Sequence, residues 1–175
     1  MSSPSKPPTD DPPRRRKILC IDDQPDGLAI RKLFLETFGY DVVLARSGAE
    51  GLRILNDTSL DGVLLDYRMP GMDGAAVAAE IRRLRPELPV VMLSGYVADI
   101  PKSVHNLVNA FVSKGSPPAE LIAALDKALG PGEKKPSGRN ISALVEQTQE
   151  RIERSRELTA RNRAQLRNVE KFRKR

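Results

Sequence analysis

Five short apolar runs alternate with five helical patterns between residues 17 and 129, joined by connections that leave room for little beyond turns. This alternation predicts an α/β domain, a parallel sheet of five strands covered by helices on both faces. A third observation agrees: the runs at 18–21, 62–65 and 90–93 are continuously apolar, as strands buried on both faces must be.

The first strand is the run Ile18-Leu19-Cys20-Ile21, closed by Asp22-Asp23. A helix over 25–38 follows, with Pro25 at its start, where a missing N–H and a fixed φ cost nothing. The second strand covers about 41–45, and the next helix, 47–56, opens on a Ser47…Glu50 capping box. Gly62-Val-Leu-Leu-Asp66 is the third strand, followed by a Met-Pro-Gly-Met-Asp-Gly turn and a helix over 74–85. Pro89-Val-Val-Met-Leu-Ser94-Gly95 supplies the fourth strand and 98–107 a further helix. Asn109-Ala-Phe-Val-Ser-Lys114-Gly115 is the fifth, before a helix over 117–129 that starts at a proline pair.

Polar residues fall where the strands end. Open α/β sheets keep their sites outside the carboxyl ends of the strands, and Asp22, Asp23, Asp66, Ser94 and Lys114 all stand there. An aspartate beside Pro or Gly usually caps a helix or starts a turn. Two acidic clusters at two strand ends are a different matter, because adjacent strands would bring three carboxylates together. Like charges at that range cannot all stay ionised without a neutralising cation, and Mg2+ prefers carboxylate oxygens while leaving positions for phosphate. The Lys114 ammonium and the Ser94 hydroxyl suit phosphoryl oxygens.

In this order and spacing the chain resembles the receiver domain of bacterial two-component response regulators, over about residues 17 to 129. The resemblance implies a flavodoxin-like sheet of order 2-1-3-4-5, which makes strands one and three neighbours. It implies that Asp66 is the phosphoacceptor, loaded from a phosphohistidine on a sensor histidine kinase or a histidine phosphotransfer protein. Asp22, Asp23, Asp66 and the backbone carbonyl of Arg68 would hold Mg2+, Ser94 and Lys114 would contact the phosphoryl oxygens, and Phe111 would be the switch aromatic whose rotamer follows Ser94. Such a protein is a signalling module rather than an enzyme, limited to self-phosphorylation from small donors and autodephosphorylation. Transfer of this kind is mostly positioning and charge neutralisation, so one metal, one Lys and one hydroxyl suffice.

Departures from the family pattern are informative. Gly115 stands where Pro commonly follows the lysine with a cis bond, and a cis bond without proline costs about 2.5–4 kcal/mol, so a trans peptide is expected. Arg68 and Tyr96, two residues beyond Asp66 and Ser94, flank the path of the hydrolytic water in the family, and their bulk would slow loss of the phosphoryl group. Haloacid-dehalogenase-type phosphatases also use an Asp nucleophile at a strand end, but they need a second Asp two residues later, where this chain has Arg68.

Composition sets further bounds. A chain of 175 residues allows one domain with extensions. The single Cys20 lies within a strand and reads as core; one cysteine permits no internal disulfide, which fits a reducing cytoplasm. His105, the only histidine, reads as a surface residue rather than a phosphohistidine. No run is long and apolar enough for a membrane span, and the N-terminal stretch does not read as a signal peptide. Residues 1–17 carry +3, 18–130 carry −4 and 131–175 carry +7, so an acidic core has two basic ends.

Four segments follow: a Pro-rich basic leader (1–16) expected to be disordered, the receiver (17–129), a Pro/Gly/Lys linker (130–139), and a basic tail (140–175). The tail lacks Gly and Pro and is dense in Glu, Gln, Arg, Leu and Ala, so one long helix is expected, with Asn140 as its cap. Its apolar line, Ile141, Leu144, Val145, Ile152, Leu158, Leu166, Val169 and Phe172, is broken by Thr148, Ser155 and Asn162, a poor coiled-coil seam. Three readings stay open: contact with a protein partner or self-association into a homodimer, electrostatic contact with nucleic acid, and a solvated extension. No turn separates two short helices in 140–175, so no helix-turn-helix DNA-binding domain is expected there. The main expectation is a response regulator with a protein partner as its output; the alternative is a nucleic-acid-binding regulator acting through the tail.

Overall fold

The computed structural model describes residues 14–131 together with Glu150, Arg154 and Glu157. Its elements run β1 (Lys17–Ile21), α1 (Pro25–Thr37), β2 (Asp41–Ala45), α2 (Gly48–Asp57), β3 (Gly62–Asp66), α3 (Gly74–Leu84), β4 (Val90–Ser94), a 3-10 turn (Val97–Asp99), α4 (Lys102–His105), β5 (Ala110–Ser113) and α5 (Pro118–Leu129). All four strand pairings are parallel and the sheet order is β2-β1-β3-β4-β5, as expected for the family the sequence resembles.

Strand side chains alternate between faces, and two cores result. Leu19, Ile21, Val63, Leu65, Val90 and Met92 face one way, against Leu55 of α2, Val77 and Ile81 of α3 and Val104 of α4. Ile18, Cys20, Leu64, Val91, Leu93 and Val112 face the other, against Leu28 and Leu35 of α1 and Leu121, Ile122 and Leu125 of α5. With both faces covered, every residue of β3 and β4 is buried, which is why those runs carry no polar residue until their last position.

Local chemistry sets the ends of the helices. α1 stops where Gly39 takes φ +84°, and the N–H groups of Phe38, Gly39 and Tyr40 bond back to the carbonyls of Leu35, Glu36 and Leu35. At α2 the Ser47 hydroxyl accepts from the Glu50 N–H (3.2 Å), while the Glu50 carboxylate accepts from the Arg46 N–H (2.7 Å), one residue before the position the capping box predicts.

The helix expected over 98–107 is not continuous. Pro101 has no N–H to offer and pushes Ile100 into extended backbone (φ −78°, ψ 124°). The segment therefore divides into the 3-10 turn and the four-residue α4. No peptide among the described residues is cis, so Lys114-Gly115 is trans as expected. The leader to residue 13, most of the linker and nearly all of the expected tail helix lie outside the described residues; Glu150, Arg154 and Glu157 are helical and exposed. Among the described residues no helix is long and apolar enough to cross a membrane.

Candidate functional site

Sheet register places the acidic residues. Ile21 pairs with Leu65, so Asp22 and Asp66 leave their strands side by side, and Asp66 in turn pairs with Leu93, the residue before Ser94. Ser94 pairs with Ser113, and the Lys114 N–H donates to the Ser94 carbonyl (2.8 Å), which brings the lysine to the same edge. One oxygen each from Asp22, Asp23 and Asp66 lies within 4.8 Å of the others. The expected three-carboxylate cluster therefore forms, although residues 22 and 66 are 44 positions apart in the chain.

The hydrogen bonds within it are unequal. Asp22 Oδ1 accepts from the Gln24 N–H (2.7 Å), and its Oδ2 receives both the Arg31 guanidinium and Lys114 Nζ (3.5 Å). Lys114 Nζ also meets Asp66 Oδ1 at 2.8 Å. Asp66 Oδ2 and Asp23 Oδ1, in contrast, are buried with no hydrogen-bond partner. Burial raises the Asp66 carboxyl above the usual carboxylate range and the neighbouring Asp22 charge adds to this, while the Lys114 hydrogen bond opposes it. Buried carboxylate oxygens left bare are costly, and a cluster of three carboxylates that contains two of them suits a hard divalent cation such as Mg2+. The residues fit that ion.

The turn after β3 is held from below. Asp73 caps α3 through the Ala76 N–H (2.9 Å), and the Gly74 N–H donates to the Tyr67 carbonyl (2.8 Å). A Cβ on Gly74 would lie 2.4 Å from the Asp66 carbonyl oxygen, so this close approach of α3 to the end of β3 requires glycine. Arg68 extends from the turn to Asp99 at 3.8 Å, but both side chains are well exposed and the pair contributes little.

Ser94 is buried, and its hydroxyl bonds locally, donating to the Tyr96 carbonyl (3.1 Å) and accepting from the Tyr96 N–H (3.2 Å). The Tyr96 side chain is exposed. Phe111 is half-buried, with its ring centroid 4.8 Å from that of His105 at a 45° tilt, and His105 itself is exposed as expected. Cys20 is buried, and burial pushes its thiol up to about 12, which leaves it protonated and inert.

Arg31 is the site residue that reading the sequence missed. It lies on α1, nine positions beyond Asp22, with 15% of its side chain exposed, and reaches back over Gly27 to the carboxylate. The one signal available was a glycine four residues before an arginine, one helical turn apart.

Comparison with known proteins agrees with this geometry. The family model "Response regulator receiver domain" matches residues 18–126. Among curated proteins, the transcriptional regulatory protein GlrR of Escherichia coli is 40% identical over 114 residues, which are 64% of this chain and 26% of that protein. The chain thus matches about a quarter of the length of this relative. Among solved structures, the response regulator TrrA of Thermotoga maritima in complex with Mg(2+)-BeF superposes with a TM-score of 0.62 at 29% identity, covering 65% of this chain and 98% of TrrA. TrrA in complex with the histidine kinase ThkA matches with a TM-score of 0.62 at 30% identity, over 66% of this chain and 99% of the matched chain. The buried acidic cluster at the strand ends, the lysine beside it and the sheet order are those of a receiver, and the chain belongs to the response regulator receiver domain family.

Proposed function

We propose that this chain receives a phosphoryl group on Asp66 from a sensor histidine kinase or a histidine phosphotransfer protein and passes the signal on through a protein contact. The observation that carries the reading is Asp66 itself. One carboxylate oxygen is held by Lys114 at 2.8 Å while the other is buried and bare, so the nucleophile is both positioned and unsatisfied. Asp22, Asp23 and Asp66, with the Arg68 carbonyl, would hold Mg2+, which would supply charge neutralisation at the transferring phosphoryl group. Lys114 contributes a second positive charge at the same edge. Ser94 gives up its bonds to Tyr96 to meet the added phosphoryl oxygens, and Phe111 follows into the vacated space, shifting an equilibrium between two surface states. Arg68 and Tyr96, two residues beyond Asp66 and Ser94, carry exposed, bulky side chains that would restrict hydrolytic water at the acyl phosphate. The similar protein TrrA is known in complex with a histidine kinase, which supports a partner of that class here. A reducing cytoplasm suits the lone buried thiol.

The test is incorporation of one phosphoryl group from a small acyl phosphate donor in the presence of Mg2+, followed by intact mass. Asp66→Asn is expected to abolish it; incorporation that persists in this variant removes the assignment. A second reading rests on the +7 charge of residues 131–175 and on relatives named as transcriptional regulatory proteins: the tail binds nucleic acid under control of the receiver. Binding to duplex and single-stranded DNA and RNA at low salt by the intact chain, set against residues 1–130, decides it. If neither chain binds, the nucleic-acid reading is removed.

A further inference from the structure

We propose that Arg31 is a built-in cation that competes with the divalent metal for Asp22 and so weakens the hold of the acidic site on that metal. The inference rests on the metal-site reading above and goes beyond it. Of the three carboxylates, only Asp22 has both oxygens engaged, Oδ1 by the Gln24 N–H and Oδ2 by the Arg31 guanidinium and Lys114. The bare oxygens belong to Asp23 and Asp66. Three negative charges thus meet two positive ones, Arg31 and Lys114, within the protein itself. Much of the repulsion that would draw in a divalent ion is already relieved.

The local sequence makes this arrangement available. A Cβ at position 27 would stand 3.0 Å from Arg31 Nη1, so Gly27 leaves the path open along which the guanidinium lies over the first turn of α1. Arg31 Nη1 is buried with no partner, so the guanidinium is desolvated without full compensation. A cation ligated by Asp22, whichever oxygen it takes, must bind close to a fixed positive charge.

The test is Mg2+ binding to the full chain by titration calorimetry, in wild type, Arg31→Met, Arg31→Lys and Asp23→Asn, with folding of each followed by circular dichroism. Arg31→Met keeps the apolar stem and removes the charge; it is expected to tighten Mg2+ roughly tenfold or more, as a close positive charge at low effective dielectric implies. Its melting midpoint should also rise further on adding Mg2+ than that of wild type. Arg31→Lys, a more compact charge on a different stem, should fall between the two, and carries the test if Arg31→Met does not fold. Mg2+ affinity in these Arg31 variants equal to or weaker than wild type overturns the proposal. Asp23→Asn separates the two levels of the argument: it should abolish binding in an otherwise folded chain. If no variant and no wild-type protein binds Mg2+, the metal site fails and the competitor with it. If wild type binds and Asp23→Asn does not, unchanged affinity in the Arg31 variants removes the competitor alone.

Discussion

Lys114 bridges two carboxylates that no short-range pattern connects, Asp66 at 2.8 Å and Asp22 at 3.5 Å. Its removal should therefore do more than delete a phosphate contact, because Asp66 would lose the interaction that opposes the effect of burial. Lys114→Ala is expected to slow phosphoryl incorporation on the order of a hundredfold, as loss of one preorganised charge-stabilising donor does; a rate within a few-fold of wild type, by quenched time course, would contradict this. Cys20 gives a pH prediction. Its thiol is raised from 9.0 to about 12 in the folded protein, so below pH 9.0 folded and unfolded chains both keep the proton. Between pH 9.0 and 12 only the unfolded chain releases it, and stability falls as pH rises. Denaturant midpoints of wild type should drop relative to Cys20→Val across that window; parallel profiles would show an ordinary thiol. At this scale the sequence revealed Asp22, Asp23, Asp66 and Lys114, because residues at strand ends are fixed by the backbone alone. Arg31 was hidden, because its reach depends on a side-chain path over Gly27 that no periodicity encodes.

The elements that hold the site in register are themselves pinned by single side chains. Arg82 of α3 donates to the carbonyls of Leu107 (2.7 Å), Pro86 (2.7 Å) and Leu88 (3.2 Å) and to Asn109 Oδ1 (2.6 Å), while Asn109 Oδ1 also accepts from the Val90 N–H. One guanidinium thus ties α3 to the approaches of β4 and β5. Arg82→Ala should cost about 2–3 kcal/mol of stability, through carbonyls left short of a partner, with phosphoryl incorporation by the folded fraction unchanged; a loss below about 0.5 kcal/mol in chemical denaturation would contradict it. Gly74→Ala should cost about 1–3 kcal/mol by overpacking and should also slow incorporation, since the added methyl meets the backbone of Asp66 and Tyr67. An effect on stability alone would show that the turn tolerates the shift. Four helices and all five strands were readable to within a residue or two from apolar runs, Pro25, Ser47 and the proline pair at 117–118. The region 98–107 was not, because its apolar spacing favours a helix while Pro101 forbids a continuous one, and the proline prevails locally.

For the whole molecule, the sheet order was legible only through the resemblance to receivers, since five parallel strands can be arranged in several ways and no local pattern chooses among them. The basic tail stands apart from the acidic core that precedes it. Removing residues 131–175 should leave phosphoryl incorporation within about twofold of the intact chain, because the residues assigned to the site all lie between Asp22 and Lys114 and changes outside a site usually act independently of it; a larger loss would place the tail in the reaction. All of this depends on where the phosphoryl group goes. The most direct measurement is to load the intact protein from a small acyl phosphate donor with Mg2+, trap the acyl phosphate by borohydride reduction, and read the modified residue by peptide mass spectrometry. Reduction confined to Asp66, and absent when Mg2+ is withheld, is the result predicted; reduction at Asp22 or Asp23, with Asp66 untouched, would contradict it.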